Sequence, residues 1–159
     1  MKTYFEEMFH YERWANGKVL TYLQAQPENA QLLGIFNHLV ADALPWLPVL
    51  QGEAVSETVL QTMLQSSHWS VEECRRHLVA LEDSLDEYLH SLSETDMSQT
   101  VSTVGPNGQL FPNTVAEILT HLLSHGQHHR GQIEWIVEKE GGVYLGTSYL
   151  PYLRQRGKG

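Results

Sequence analysis

Four of the nine histidines in this chain fall between His121 and His129, a concentration that points to metal-binding chemistry. They lie in TVAEILTHLLSHGQHHRGQIEWIVEKEGG, the stretch from Thr114 to Gly142. Apolar residues recur in it at steps of three and four, the period of a helix with one buried stripe. Thr114 and Glu117 form a capping-box pattern at its start, and two glycines end it. The sequence therefore predicts one long helix whose histidines can act together.

The direction of each histidine follows from a turn of about 100° per residue, with the apolar stripe centred at zero. His129 then falls at about 320°, His125 at about 280°, His121 at about 240° and His128 at about 220°. His125 and His129 lie one turn apart on the buried edge, with Cβ atoms roughly 5–6 Å apart, so both imidazoles can bind one metal ion. His121 and His125 have the same spacing but point farther from the interior. A histidine-rich surface patch is the alternative without a metal.

The composition is that of an ordinary globular protein of one domain, residues 1–159, with 42% hydrophobic and 18% charged residues. The net charge of −9 argues against nucleic acid or an anionic membrane surface as a partner, since those contacts need clustered Lys and Arg. An apolar leader after Met1 and an unbroken apolar run of about 18 residues are both lacking, so we expect neither secretion nor a membrane span. Cys74 is the only cysteine, which fits a reducing cytoplasm.

Three further amphipathic segments precede the histidine helix, over residues 2–26, 29–51 and 70–92. Pro45 is expected to kink or break the second of them. The connection from 52 to 70 is mostly polar and holds at most a short helix, and its length of about twenty residues far exceeds what an antiparallel helix pair needs. QTVSTV, the turn signal GPNG and QLF then predict a small β-hairpin before the histidine helix.

These elements predict an all-α fold, a four-helix bundle with a small β-hairpin before helix four. The long connection between helices two and three can serve as a crossover between parallel helices, which gives an up-down-down-up order. A simple up-and-down order is the second choice. The apolar tail from Tyr144 to Leu153 either folds back over the bundle or meets a second subunit.

Two other residues with reactive side chains have clear positions in this pattern. Cys74 sits on the core stripe of helix three, which favours a buried structural thiol over a nucleophile. His38 lies off the apolar stripe of helix two, near Ile35 and Asp42, so the periodicity predicts that it is exposed. Spacing alone would not select it as a ligand.

The phrases YERWANGKVL, IFNHLVADALPW and HLLSHGQHHRGQI, in this order, resemble the DinB/YfiT-like family over nearly the whole chain. That family is a four-helix bundle in which three histidines hold one metal ion. Carried over residue by residue, the resemblance implies the ligands His38, His125 and His129, the last directly before Arg130. This agrees with the choice of His125 and His129 from their angles. For His38 it overrules the periodicity, and burial of helix two on a second face, as in a dimer, would reconcile the two.

Three neutral imidazoles without a protein anion leave coordination positions for water or substrate, as in a catalytic zinc site. The resemblance thus implies one divalent metal ion, zinc in the first place, with nickel or iron as alternatives. Asp42 and Gln132 each lie about one turn from a ligand and are candidates to fix the tautomers of the imidazoles. They can equally be solvated polar residues.

The family includes transferases that act with low-molecular-weight bacterial thiols. The resemblance therefore implies a metal-dependent enzyme that transfers a small thiol to an electrophile, in detoxification or stress response. A metal-dependent hydrolase with a metal-bound water and a non-catalytic metal-binding stress protein are the alternatives, and the catalytic residues are unknown. Surplus apolar surface on helices one and two and in the tail also predicts a homodimer.

Overall fold

The computed structural model describes residues 1–26, 28–105 and 107–157, and over these residues the chain is mostly helical with one small antiparallel hairpin. Two single turns of 3₁₀ helix, at Ser66–His68 and Asp96–Ser98, accompany the longer elements. In chain order, the α-helices and β-strands are α1 (Lys2–Ala25), α2 (Ala30–Ala43), α3 (Trp46–Leu50), α4 (Glu57–Leu64), α5 (Val71–Ser91), β1 (Thr100–Val104), β2 (Leu110–Thr114), α6 (Val115–Lys139) and α7 (Tyr149–Arg156).

The helix ends follow the predicted capping chemistry. Ser70 starts α5 and Thr114 starts α6, each through a complete capping box with the glutamate three residues later. Helix α6 ends at Lys139, and Gly141 then takes a φ of +75°, a left-handed conformation that glycine adopts at little cost. The second predicted helix is divided at Pro45 into α2 and α3, as expected from the missing amide hydrogen of proline.

The predicted hairpin is present, with β1 and β2 paired from Thr100 opposite Thr114 to Val104 opposite Leu110. Of its GPNG turn, Pro106 lies outside the described residues. Pro27, before which helix one was predicted to end, also lies outside them. The polar connection contains the short helix α4 and the single 3₁₀ turn Ser66–His68.

The apolar tail packs back on its own chain, as the first of the two predicted alternatives states. The buried ring of Tyr152 lies 5.7 Å from that of Tyr11 on α1, and Trp14 donates a hydrogen bond to Gln155 at 2.9 Å. Arg156 forms an ion pair with Glu7. Helix α7 therefore covers part of α1.

The core lies between the four long helices, because α1 and α2 each pack against both α5 and α6. It consists of two clusters of buried side chains, one toward each end of these helices. The first includes Phe5, Tyr11, Leu85, Leu119 and Leu122, and the second includes Val19, Leu23, Phe36, Leu78 and Ile133. The histidine stretch of α6 spans the region between them.

Among the described residues, one segment, Ala30–Leu50, is long and apolar enough to cross a membrane by length and composition alone, and 33% of its most apolar 18-residue window is buried inside the protein. A core helix passes the same test, and this segment packs against α5 and α6. The expectation that the protein has no membrane partner stays a prediction.

Candidate metal centre

Three imidazoles from two helices meet on one side of the protein. Helix α2 contributes His38, and α6 contributes His125 and His129 from successive turns. One nitrogen from each of the three rings lies within 4.8 Å of the other two. The Nε2 atoms of His125 and His129 are 3.1 Å apart, and the rings of His38 and His129 have centroids 4.7 Å apart. The structure thus brings together the three residues that the resemblance implied.

The spacing of these nitrogens fits a shared metal ion. Two nitrogens bound to zinc at about 2.0–2.1 Å are roughly 2.8–3.4 Å apart for bond angles between a right angle and a tetrahedral one. The observed 3.1 Å between His125 and His129 falls within that range. An all-imidazole donor set also suits zinc, nickel or iron. The residues present therefore fit the metal that the resemblance implies.

The electrostatic surroundings keep the two α6 imidazoles neutral. Burial, and after it the neighbouring His129, lower the pKa of His125 to about 4, against the opposing effect of Asp42. Burial also lowers the pKa of His129, although a hydrogen bond to Gln132 opposes the shift. Only a neutral imidazole can bind a metal ion, so these shifts favour the binding form at neutral pH.

Gln132 lies where a tautomer-fixing residue should be. Its Oε1 atom is 2.7 Å from Nδ1 of His129 and can accept the hydrogen of that nitrogen. With Nδ1 protonated, Nε2 of His129 presents its lone pair toward His125. This matches the role considered for Gln132 from its spacing.

Asp42 occupies a different position from the one that a tautomer-fixing residue requires. Its Oδ2 atom lies 3.5 Å from Nε2 of His125, and its Oδ1 atom lies 3.9 Å from Nδ1 of His38. For His125 this is the nitrogen that faces His129, and not the remote nitrogen of the ring. The carboxylate therefore stands beside the cluster on its exposed side.

The two remaining histidines of the stretch lie outside the cluster, and both are exposed. The ring of His121 packs edge-on against Trp46 at 5.0 Å and lies 6.0 Å from the ring of His125. His128 points to solvent from the turn between the two ligands. The structure therefore brings together the His125/His129 register and not the His121/His125 register.

His38 is exposed, as the periodicity of helix two predicted, with 53% of its side-chain surface accessible. It nevertheless joins the cluster, because the cluster itself lies at the surface between α2 and α6. An exposed His38 can thus belong to the three-histidine cluster without a second copy of the chain. Burial of α2 on a second face is not needed to explain its position.

The interior side of α6 carries a charged cluster that the sequence analysis did not identify as part of a site. Arg130 is only 1% exposed, and its Nη1 atom donates to Oε2 of Glu12 at 2.6 Å and to Oδ1 of Asn16 at 2.9 Å. Its Nη2 atom donates to Oε1 of Glu12. The available signal was Glu12 itself, a carboxylate among the apolar positions of helix one, since a buried charge requires a partner.

Burial disfavours the charged form of both members of this pair. Burial raises the pKa of Glu12, while for Arg130 the hydrogen bonds and charge of Glu12 outweigh burial and raise the pKa. Because a guanidinium does not lose its proton at neutral pH, an ionised Glu12 is the partner that compensates the buried charge. We therefore treat the pair as a bidentate ion pair.

Cys74 is fully buried, as expected for a structural thiol. Burial raises the pKa of its thiol to about 12, so the thiolate is scarce at neutral pH. The thiol of this chain is therefore not a nucleophile in the native fold.

Together these features define a class, a mostly helical protein in which two helices bring three histidines to one surface cluster able to hold a metal ion. The model of the DinB family matches residues 1–158, and the chain belongs to that family. It is also similar to Protein DinB of Bacillus subtilis (strain 168), with 22% identity over 160 residues that cover 92% of each chain. The resemblance that the three sequence phrases carried is thus confirmed.

Proposed function

We propose that this protein binds one divalent metal ion through His38, His125 and His129 and is a metal-dependent enzyme that transfers a small thiol to an electrophile. The observation that carries the proposal is the convergence of three imidazole nitrogen donors, without a carboxylate among them, at the protein surface. Such a donor set leaves coordination positions for a small molecule. Zinc is the metal we expect, with nickel or iron as alternatives.

A metal ion at this site would supply a Lewis acid that lowers the pKa of a small thiol. The residues of the chain have separate tasks. Gln132 holds the ring of His129 with its Nε2 atom free. Asp42, 3.5 Å from Nε2 of His125, stands where it can accept a hydrogen bond from a small molecule that reaches the cluster.

The thiol must come from outside the chain, because Cys74 is buried and its pKa is raised. A shallow groove between α2 and α6, lined by Ile35, His128 and Trp135 among others, runs on from the cluster and gives a small molecule room to approach. Both features favour a low-molecular-weight thiol as the partner. The net charge of −9 also favours a protein that does not bind nucleic acid, and the single cysteine favours a cytoplasmic location.

We also propose that the single domain is an up-down-down-up four-helix bundle. In the contacts between α1 and α5, residue numbers rise along one helix as they fall along the other, and the same holds for α2 and α6, so both pairs are antiparallel. In the contacts between α2 and α5, residue numbers rise together, so this pair is parallel. The contacts in support are Met1–Glu94 and Asn16–Glu82, then Asn29–Glu140 and Trp46–His121, and finally Asn37–Trp69 and Leu50–Tyr88. In this order the connection with α4 is the crossover.

The test is a substrate screen of purified protein loaded with zinc, nickel or iron, using bacillithiol, mycothiol and glutathione with an electrophile, and simple esters without a thiol. Turnover that requires both thiol and metal supports the proposal. Ester cleavage without a thiol would replace it with hydrolysis. Stoichiometric metal without turnover of either kind would leave a metal-binding protein that is not an enzyme.

His129→Ala and His128→Ala form the matched pair of variants for this screen. Both remove one imidazole from the same helix, but only His129 belongs to the cluster. Activity that survives in His129→Ala would show that the observed turnover does not come from this site. Occupancy should also fall when the solution is acidified, because protonated imidazoles do not bind metal.

A further inference from the structure

The two ligands on α6 are each followed by a residue that faces the interior of the protein. Gly126 follows His125, and Arg130 follows His129, so the inward pair repeats the four-residue spacing of the ligands. Both inward residues meet the same side chain, Glu12 of α1. The carboxylate of Glu12 therefore lies on the interior side of α6, about 100° around the helix from the histidine pair.

The contact between Glu12 and α6 is unusually close because position 126 is glycine. A Cβ atom at this position would lie 3.0 Å from Nη1 of Arg130 and well inside the contact distance of Oε2 of Glu12. Gly131 on the same helix differs, since a Cβ atom there would meet no atom within 4 Å. The glycine at 126 thus admits the carboxylate against the backbone of α6.

We propose that Glu12 is a positioning residue of the metal centre, which acts through Gly126 and Arg130 to fix the rotation of α6. This inference rests on the proposed metal function. A bidentate pair between a carboxylate and a guanidinium adds directional restraint as well as energy. Here it joins α1 to the two turns of α6 that carry the ligands His125 and His129, while the third ligand lies on α2.

Small rotations of α6 matter because a metal site tolerates little error. An imidazole nitrogen lies several ångströms from the helix axis, so a rotation of about 10° moves it by on the order of 1 Å. Metal–ligand distances must hold to about ±0.2 Å. A rotation of that size would move His125 and His129 together relative to His38 and would weaken the shared site.

The first experiment compares Gly126→Ala with Gly131→Ala, using cobalt(II) as the probe. Gly126→Ala should weaken cobalt binding about tenfold or more, in line with the loss of a supporting residue, and should change the visible absorption of the bound cobalt. Gly131→Ala should bind like the wild type with an unchanged spectrum. Replacing Glu12 by Asp shortens the side chain and should restore part of the binding lost in Gly126→Ala.

The second experiment removes the restraint without leaving a buried charge. The double variant Glu12→Leu with Arg130→Met replaces the pair by apolar side chains, an exchange that folded proteins often tolerate. It should fold yet bind cobalt about tenfold or more weakly, with an altered spectrum. The control is Glu7→Leu with Arg156→Met, since that pair joins α1 to α7 instead of α6.

These outcomes separate this inference from the proposed function. Wild-type affinity and spectrum in both Gly126→Ala and the Glu12→Leu/Arg130→Met variant would overturn the role of Glu12 and leave the metal function intact. Failure of the wild type to bind cobalt would instead contradict the metal function. The imidazole NMR signals of the metal-free protein then decide the role of Glu12: Gly126→Ala should shift those of His125 and His129, and unchanged signals would overturn it.

Discussion

The two sides of α6 handle buried polar groups in opposite ways. On the outer side, burial outweighs the nearby carboxylate of Asp42 and keeps His125 and His129 neutral by lowering their pKa values. On the inner side, Arg130 keeps its charge because Glu12 compensates it. The outer arrangement leaves nitrogen lone pairs free for a metal ion, whereas the inner one uses both terminal nitrogens of Arg130 to fix geometry.

Adjacent residues of one helix can thus serve two purposes, one as part of a reactive site and the next as part of its structural support. Successive residues project about 100° apart, so His125 and Gly126 point to different sides, as do His129 and Arg130. The ligand pair and the supporting pair therefore share the same two turns. A change on one side can then be tested for its effect on the other.

Removal of an outer ligand should have the largest effect. We expect His125→Ala and His129→Ala each to lose the metal ion, with affinity reduced by more than about 100-fold, beyond the loss typical of changes at supporting residues. The measurement is elemental analysis of protein purified without a histidine tag, which should find close to one metal ion per wild-type chain. The fold should persist, because both side chains lie at the edge of the core.

The controls are His121→Ala and His128→Ala, which should retain metal at the wild-type level. Both side chains are exposed and lie outside the three-histidine group. Metal retained in both His125→Ala and His129→Ala would eliminate the site. Metal lost in His121→Ala would select the other register of the histidine stretch.

Removal of the inner carboxylate should act mainly on stability. Glu12→Ala leaves the guanidinium of Arg130 buried without its partner, which should lower the free energy of unfolding by about 3–5 kcal/mol. Urea denaturation of the metal-free protein measures this loss. Glu72→Ala is the control, since Glu72 pairs with Arg75 on an exposed face of α5 and should contribute little. A loss of under about 1 kcal/mol for Glu12→Ala would show that the pair is not the anchor described above.

The sequence predicted the elements of this fold well because their signals are local. Capping boxes at Ser70 and Thr114, the proline at 45 and the three-four periodicity each act within a few residues, and the structure has helix ends at these places. The spacing of His125 and His129 is local in the same sense, because both belong to one helix. The direction of each side chain followed from simple rotation.

Contacts between helices were beyond such reasoning. His38 joins the cluster because of how α2 packs on α6, which its own periodicity does not encode, and only the family resemblance selected it. Glu12 and Arg130 are 118 residues apart, so their pairing depends on the packing of α1 against α6. The position of Asp42 beside the cluster-facing nitrogen of His125 likewise depends on how far α2 and α6 are shifted along each other's axes.

A smaller effect is expected at Gln132, which supports the outer side as Glu12 supports the inner side. Gln132→Ala removes the acceptor 2.7 Å from Nδ1 of His129 and should weaken metal binding by about 10- to 100-fold. Competition with a metal-sensitive dye measures the affinity. Gln127→Ala, an exposed glutamine on the same helix, serves as the control. An unchanged affinity in Gln132→Ala would mean that the cluster does not need this hydrogen bond.

The last prediction concerns the oligomeric state, and it tests whether the outer side of α6 is also a contact surface between two copies of the chain. Helix α7 covers part of the surplus apolar surface, but Trp135 beside the cluster is still 61% exposed. Because large exposed aromatic side chains favour association, we expect a homodimer, with a mass by light scattering near twice 18.1 kDa at micromolar concentration. Trp135→Glu should return the mass to that of one chain if the dimer forms through this side. A wild-type mass near 18.1 kDa would refute the dimer, and the outer side would then serve the metal centre alone.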